Sequence, residues 1–140
     1  MLVSVMVCGL RVLHVTQSHS PEAGGLTSAV NDIAENVVLH GGYCCIVATS
    51  DNAGIVSDLV DFISLGDRCN TVSALFSSEL KQSIRDIIVI KQINIIHLHG
   101  YWLPLQLIAG RIAVEMKLPF ILSVHGMVQS WQWKCKGWLS

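Results

Sequence analysis

The chain has 140 residues, of which 51% are hydrophobic and 14% are charged, with nine Lys and Arg against ten Asp and Glu. This length suits one domain with its own core, and the composition excludes intrinsic disorder. A formal net charge of −1 provides no broad basic surface for a phosphate backbone, so we expect no nucleic-acid partner.

Residues 1–10 are apolar and uncharged, but the run is too short to span a membrane and lacks the basic start of a signal peptide. We interpret it as an N-terminal extension to a single domain at residues 11–140. The five cysteines include no C-x-x-C pair, which argues against a disulfide framework and a zinc knuckle and favours reduced thiols in the cytoplasm. These cysteines are Cys8, Cys44, Cys45, Cys69 and Cys135.

Short apolar runs alternate with stretches of helical period, which predicts the order β-α-β-β-α-β-α-β. The predicted strands are residues 11–16, 43–49, 61–65, 94–98 and 120–124, and the predicted helices run through residues 26–37, 80–88 and 105–116. Thr27 or Ser28 can cap the first helix, and Gly41 suits the left-handed position after its end.

Strands that are apolar on both faces are typical of a parallel sheet with helices on each side. Right-handed crossovers then predict an α/β fold with a doubly wound, mainly parallel, Rossmann-like sheet and helices on both faces. Ligands in such folds bind at the carboxyl ends of the strands. The loops that follow three strands, at residues 17–25, 99–104 and 125–130, are therefore the candidate site.

The first loop carries Gly24 and Gly25 directly before a helix. Glycines at a helix N-terminus let backbone amides approach an anion, and the helix dipole favours negative charge there. We predict a phosphate-binding turn, although many glycine pairs are simply tight turns. Neither G-x-G-x-x-G nor a Walker loop occurs, which argues against dinucleotide and P-loop sites.

The second and third loops contribute histidines. His97 and His99 stand two apart on a strand, a spacing that metal ligands use, and His125 could be a third ligand. We nevertheless expect no metal, because no carboxylate follows a strand end nearby, and we interpret His97 as buried and satisfied by neighbouring backbone.

We place His99, Gly100, Tyr101 and Trp102 beyond their strand, where they could bind a sugar or anchor the loop by packing. His125 could donate a hydrogen bond to a reacting group near neutral pH, or be structural.

Three segments in order carry a family resemblance: RVLHVTQSHSPEAGGLTSAV, then IIHLHGYW, then LSVHGMVQSW. Together they resemble the N-terminal half of a family 4 glycosyltransferase of the GT-B fold, from Arg11 to about Trp138. The resemblance implies a retaining enzyme that transfers a sugar from a nucleotide-sugar donor to a glycan or lipid-linked acceptor in cell-envelope polysaccharide synthesis, with no further cofactor.

By the same resemblance, Gly24 and Gly25 lie near the donor diphosphate, and His125 contacts the transferred sugar as the catalytic residue. The stretch from His99 to Trp102 borders the acceptor. The implied location is the cytoplasm, at the inner face of the plasma membrane where a peripheral contact forms. A non-catalytic sugar- or phosphate-binding module of the same fold is the alternative, followed by a metal-dependent hydrolase that uses histidines.

The tail around Trp131 and Trp133 mixes aromatics with lysines. It admits two interpretations: insertion into a membrane interface, or a helix whose tryptophans pack on other parts of a larger protein.

The family holds most donor contacts in a C-terminal domain, including two glutamates eight positions apart, and Glu22, Glu35, Glu79 and Glu115 contain no such pair. We therefore expect these 140 residues to hold half a site, without the positioning and electrostatic stabilisation that supply most of the rate. The purified chain should give no measurable sugar transfer from a nucleotide-sugar, and robust turnover in a donor-consumption assay would overturn this expectation.

Overall fold

The computed structural model describes residues 9–49, 56–66, 71–100 and 103–125. The strands are β1 (Arg11–Thr16), β2 (Tyr43–Ala48), β3 (Asp61–Ser64), β4 (Ile95–His99) and β5 (Phe120–Ser123). The helices are α1 (Gly25–Leu39), α2 (Ser78–Ile90) and α3 (Pro104–Glu115), with short 3-10 turns at Pro21–Ala23 and Val72–Phe76. The predicted order of strands and helices is confirmed.

The five strands form one sheet in the order β3-β2-β1-β4-β5, and every neighbouring pair is parallel. The predicted α/β, Rossmann-like class is therefore confirmed. Because the strands are parallel, their carboxyl ends meet at one edge. Thr16 pairs with His99, and His99 pairs with Ser123, so three adjacent strands end at nearly the same level.

Helices cover both faces of the sheet, as predicted. On one face, α2 and α3 pack against the odd-numbered side chains of β1, including Leu13 and Val15. On the other face, α1 lays Val30 and Ala34 over Val12, Cys44 and Ile46. Because successive side chains of a strand point to opposite faces, His14 also lies on this second face. Cys44 and Cys45 are buried free thiols, and burial raises the pKa of each to about 12.

The start of α1 differs from the prediction. Gly24, rather than Thr27 or Ser28, occupies the capping position, and its φ of 60° and ψ of −128° suit glycine. The Thr27 hydroxyl instead donates to the carbonyl of Ser20 at 2.8 Å. This bond ties the loop to the first turn of the helix. Gly41, with φ 95°, lies just after the helix as predicted.

No helix among the described residues is long and apolar enough to cross a membrane.

Alanine substitution should change the stability differently at two glycines near opposite ends of α1. A Cβ on Gly42 would lie 2.6 Å from Cγ1 of Val37 and 3.1 Å from the carbonyl oxygen of Leu10, whereas a Cβ on Gly25 would meet nothing within 4 Å. We expect Gly42→Ala to lower the free energy of unfolding by about 1–3 kcal/mol, because a β-branched side chain and backbone must move.

Gly25→Ala is the matched control. It should leave the stability unchanged or raise it by up to about 1 kcal/mol, because alanine favours helix. Urea denaturation of both variants measures this difference, and equal stability of the two would contradict the packing around Gly42.

Candidate functional site

The candidate site lies at the carboxyl edge of the sheet, where the three predicted loops leave β1, β4 and β5. The loop after β1 is described in full. Tyr101 and Trp102, and residues 126–130 of the third loop, fall outside the described residues, so the predictions made for them remain predictions. The described residues at this edge form two features, a glycine turn and a group of histidines.

The glycine turn consists of Gly24 and Gly25 at the start of α1. Both residues are exposed, and the space that a Cβ would occupy is open at each. No side chain caps the helix, so amides of the first turn remain for an outside acceptor. A hydrogen bond connects this loop to α1: the buried ring of His19 donates through Nε2 to Oδ1 of Asn31 at 2.9 Å. The geometry suits an anion.

Four histidines form a continuous stack on the α1 face of the sheet. The buried histidines are His14 on β1 and His97 and His99 on β4, and His125, just after β5, is exposed. Nδ1 of His14 lies 2.9 Å from Nε2 of His99, and Nδ1 of His99 lies 3.0 Å from Nε2 of His125. The rings of His97 and His99 stack with centroids 4.0 Å apart.

Two further side chains border the stack. The sulfur of Cys44 on β2 lies 3.5 Å from Nε2 of His14, and the hydroxyl of Ser123 on β5 lies 2.8 Å from Nε2 of His97. Since His14 and His97 are register partners, the sheet itself sets the separation of these rings. Each of the four histidines thus has a polar neighbour, which offsets the cost of burying imidazole.

Several predictions about individual residues need correction. His99 is the last residue of β4 rather than a loop residue, and it is fully buried. Gly100 is also buried, and its amide donates to the carbonyl of Ser123 at 2.8 Å. His97 is buried as predicted, but its partner is the Ser123 side chain rather than backbone. His125 does follow the last strand and has a left-handed φ of 43°.

The group of possible metal ligands also differs from the set considered from sequence. One ring nitrogen from each of His14, His97 and His99 lies within 4.8 Å of the others, and His125 is not part of that group. His14 was missed because it sits within an apolar strand. The signal that could have found it is the β1–β4 register, which places His14 beside His97.

The buried histidines are held neutral by their surroundings. Burial, reinforced by neighbouring imidazoles, lowers the pKa of His14 to about 3 and that of His99 to about 2. Burial, followed by the nearby His125, also lowers the pKa of His97. The ion pairs among the described residues, Arg85–Glu115 and Lys91–Asp61, involve none of these rings. At neutral pH the three buried rings therefore add no positive charge to the site.

Comparison with known proteins supports the fold. No protein-family model and no curated protein matches the sequence. The chain superposes with a TM-score of 0.57 on a crystal structure of a Listeria monocytogenes protein described as a UDP-N-acetylglucosamine 2-epimerase, at 16% identity. The match covers 90% of this chain and 33% of that one, so this chain spans about a third of its length. The likeness shows a Rossmann-like domain that matches a GT-B neighbour.

The depressed histidine pKa values predict a loss of stability in acid. Because an unfolded histidine titrates near pH 6.5, the unfolded chain binds more protons than the folded chain below that pH. The stability is therefore complete above about pH 6.5 and falls as the pH drops toward 3. At pH 5 His14 and His99 should each reduce the free energy of unfolding by about 2 kcal/mol relative to neutral pH.

Urea denaturation between pH 8 and pH 4.5, in a buffer that contains a chelator, measures this slope. His14→Gln should make the slope shallower by about one proton. An unchanged slope in His14→Gln would show that His14 does not resist protonation.

Proposed function

We propose that this chain is the acceptor-side half of a retaining glycosyltransferase that uses a nucleotide-sugar donor. The acceptor in this proposal is a glycan or a lipid-linked saccharide of the cell envelope, and the enzyme works in the cytoplasm at the inner face of the membrane. The chain would supply one wall of the cleft and a second Rossmann-like domain the other.

One observation carries the proposal. The glycine turn is open to solvent at the N-terminus of α1, and His125 follows the end of β5 at the same edge of the sheet. A diphosphate needs backbone amides and a favourable helix dipole. The amide of Gly24 already donates to the carbonyl of Pro21 at 3.1 Å, so the first turn of α1, from Gly25 onward, would supply the amides. A sugar attached to that diphosphate would extend along the edge of the sheet toward β4 and β5, where His125 could donate a hydrogen bond to it.

The buried neighbours give His125 a fixed orientation in this proposal. Nδ1 of His99 lies 3.0 Å from Nε2 of His125, so one ring nitrogen of His125 is engaged and the other is left for substrate. His99 and Gly100 are buried, and we assign them to positioning rather than to direct contact with the acceptor. Tyr101 and Trp102 remain the proposed acceptor-contacting side chains.

The structural neighbour supports the nucleotide-sugar part of the proposal. That protein is described as acting on a UDP-sugar, and the shared fold covers 90% of this chain. The ordered sequence motifs supply the glycosyl-transfer part. Epimerisation is not proposed, since nothing among the described residues favours it over transfer.

Ligand binding tests the proposal. Titration of the 140-residue chain with UDP-N-acetylglucosamine, followed by NMR at high donor concentration, should show weak but saturable binding, because a second domain would supply most of the donor contacts. Gly25→Ala should weaken it by about 10-fold or more, because the added methyl group occupies the space reserved for the diphosphate, an effect of about 1–3 kcal/mol.

Ser78→Ala is the matched control, because Ser78 is the exposed first residue of α2 and lies at another helix N-terminus. It should bind as the wild type does. Absence of saturable binding to the folded wild type, or equal affinity in Gly25→Ala, would overturn the proposal.

A further inference from the structure

The buried histidines have the spacing of a metal site. Nitrogens bound to a tetrahedral ion such as Zn²⁺, at 2.0–2.1 Å, lie about 3.3 Å from each other. Nδ1 of His14 and Nε2 of His99 are 2.9 Å apart, and one nitrogen of His97 completes a group within 4.8 Å. The rings would have to rotate from their present stacked arrangement to direct all three nitrogens at a common ion.

Each of these three rings has a second nitrogen, which points away from the group and already has a polar neighbour. Nε2 of His14 faces the sulfur of Cys44 at 3.5 Å, and Nε2 of His97 faces the hydroxyl of Ser123 at 2.8 Å. Nδ1 of His99 faces Nε2 of His125 at 3.0 Å. Histidines that ligate metals donate their second N–H to such an acceptor, which fixes the tautomer and the ring orientation.

These contacts assign one nitrogen of each ring to an ion. We propose that His14 through Nδ1, His97 through Nδ1 and His99 through Nε2 bind one divalent first-row transition-metal ion. The fourth coordination position is left for water or an anion. The site lies one layer beneath the carboxyl edge of the sheet, and its existence does not depend on glycosyl transfer.

The donor set decides the class of ion. Three neutral imidazoles suit Zn²⁺, Co²⁺, Ni²⁺ and Cu²⁺, whereas Ca²⁺ and Mg²⁺ prefer oxygen ligands. Three histidines with one open position are also an established zinc ligand set.

An ion-free stack is the competing explanation. In that state one of the two facing nitrogens, Nδ1 of His14 or Nε2 of His99, carries a proton and donates to the other. The stack would then be a buried hydrogen-bonded core with no affinity for metals. The two explanations differ in whether both lone pairs are available to an ion.

A cobalt titration of the untagged 140-residue protein separates them. After treatment with a chelator and alkylation of accessible thiols, we expect saturation at one Co²⁺ per chain, with the visible absorption of four- or five-coordinate cobalt. Excess Zn²⁺ should displace the cobalt, because both ions suit a site of three imidazoles and compete for it.

Variants identify the ligands. His14→Gln, His97→Gln and His99→Gln should each lower the affinity by more than 100-fold, and Ser123→Ala should lower it by about 10- to 100-fold through His97. His40→Gln changes an exposed histidine outside the stack and should bind as the wild type does. Circular dichroism checks that each variant is folded.

The wild-type titration decides the proposal even if a variant fails to fold. Absence of one-to-one binding to the folded wild type would overturn it. So would binding that disappears when accessible thiols are alkylated, or binding that persists unchanged in folded His14→Gln or His99→Gln.

Discussion

The parallel pairing of β1 with β4 is the constraint on which the rest of the structure depends. It sets His14 beside His97 and Thr16 beside His99, and the pairing of β4 with β5 then brings Ser123 alongside His99. A shift of β4 by one residue would move His97 and His99 to the opposite face, among the apolar side chains of α2 and α3, and would separate them from His14. The register thus determines both the core and the location of the polar stack.

That stack is an unusual use of a sheet interior, because parallel strands are normally filled with branched apolar side chains. Imidazole can be buried here since each ring meets a nitrogen, a hydroxyl or a thiol instead of bulk water. Burial, reinforced by the neighbouring imidazoles, keeps the buried rings neutral, and a neutral imidazole costs far less to bury than a charged one. The same arrangement should make the fold less stable in acid, where the unfolded chain binds more protons than the folded chain.

The sequence predicts the fold better than it predicts the site. Apolar runs and helical periods locate every described strand and helix to within a few residues, because burial on both strand faces leaves a local pattern. The cap of α1 was misassigned, since Thr27 uses its hydroxyl on Ser20. His14 was overlooked because its partnership with His97 is a tertiary contact between residues far apart in the chain. Gly24, Gly25 and His125 were located by position after predicted strands, and their roles remain proposals.

The glycine turn and the histidine stack share the α1 face of the sheet, which relates their electrostatics. Without an ion, the three buried rings are neutral, so they add nothing to the helix dipole and backbone amides that favour an anion at the glycine turn. An ion held by His14, His97 and His99 would add two positive charges beneath the carboxyl edge of the sheet, in a region of low dielectric where they act strongly. Binding of a diphosphate and of a metal should then reinforce each other, and by thermodynamic reciprocity the metal affinity would rise by the factor by which the diphosphate affinity rises. Measured separately, the two affinities report on two features of the chain; measured together, they report whether those features form one site.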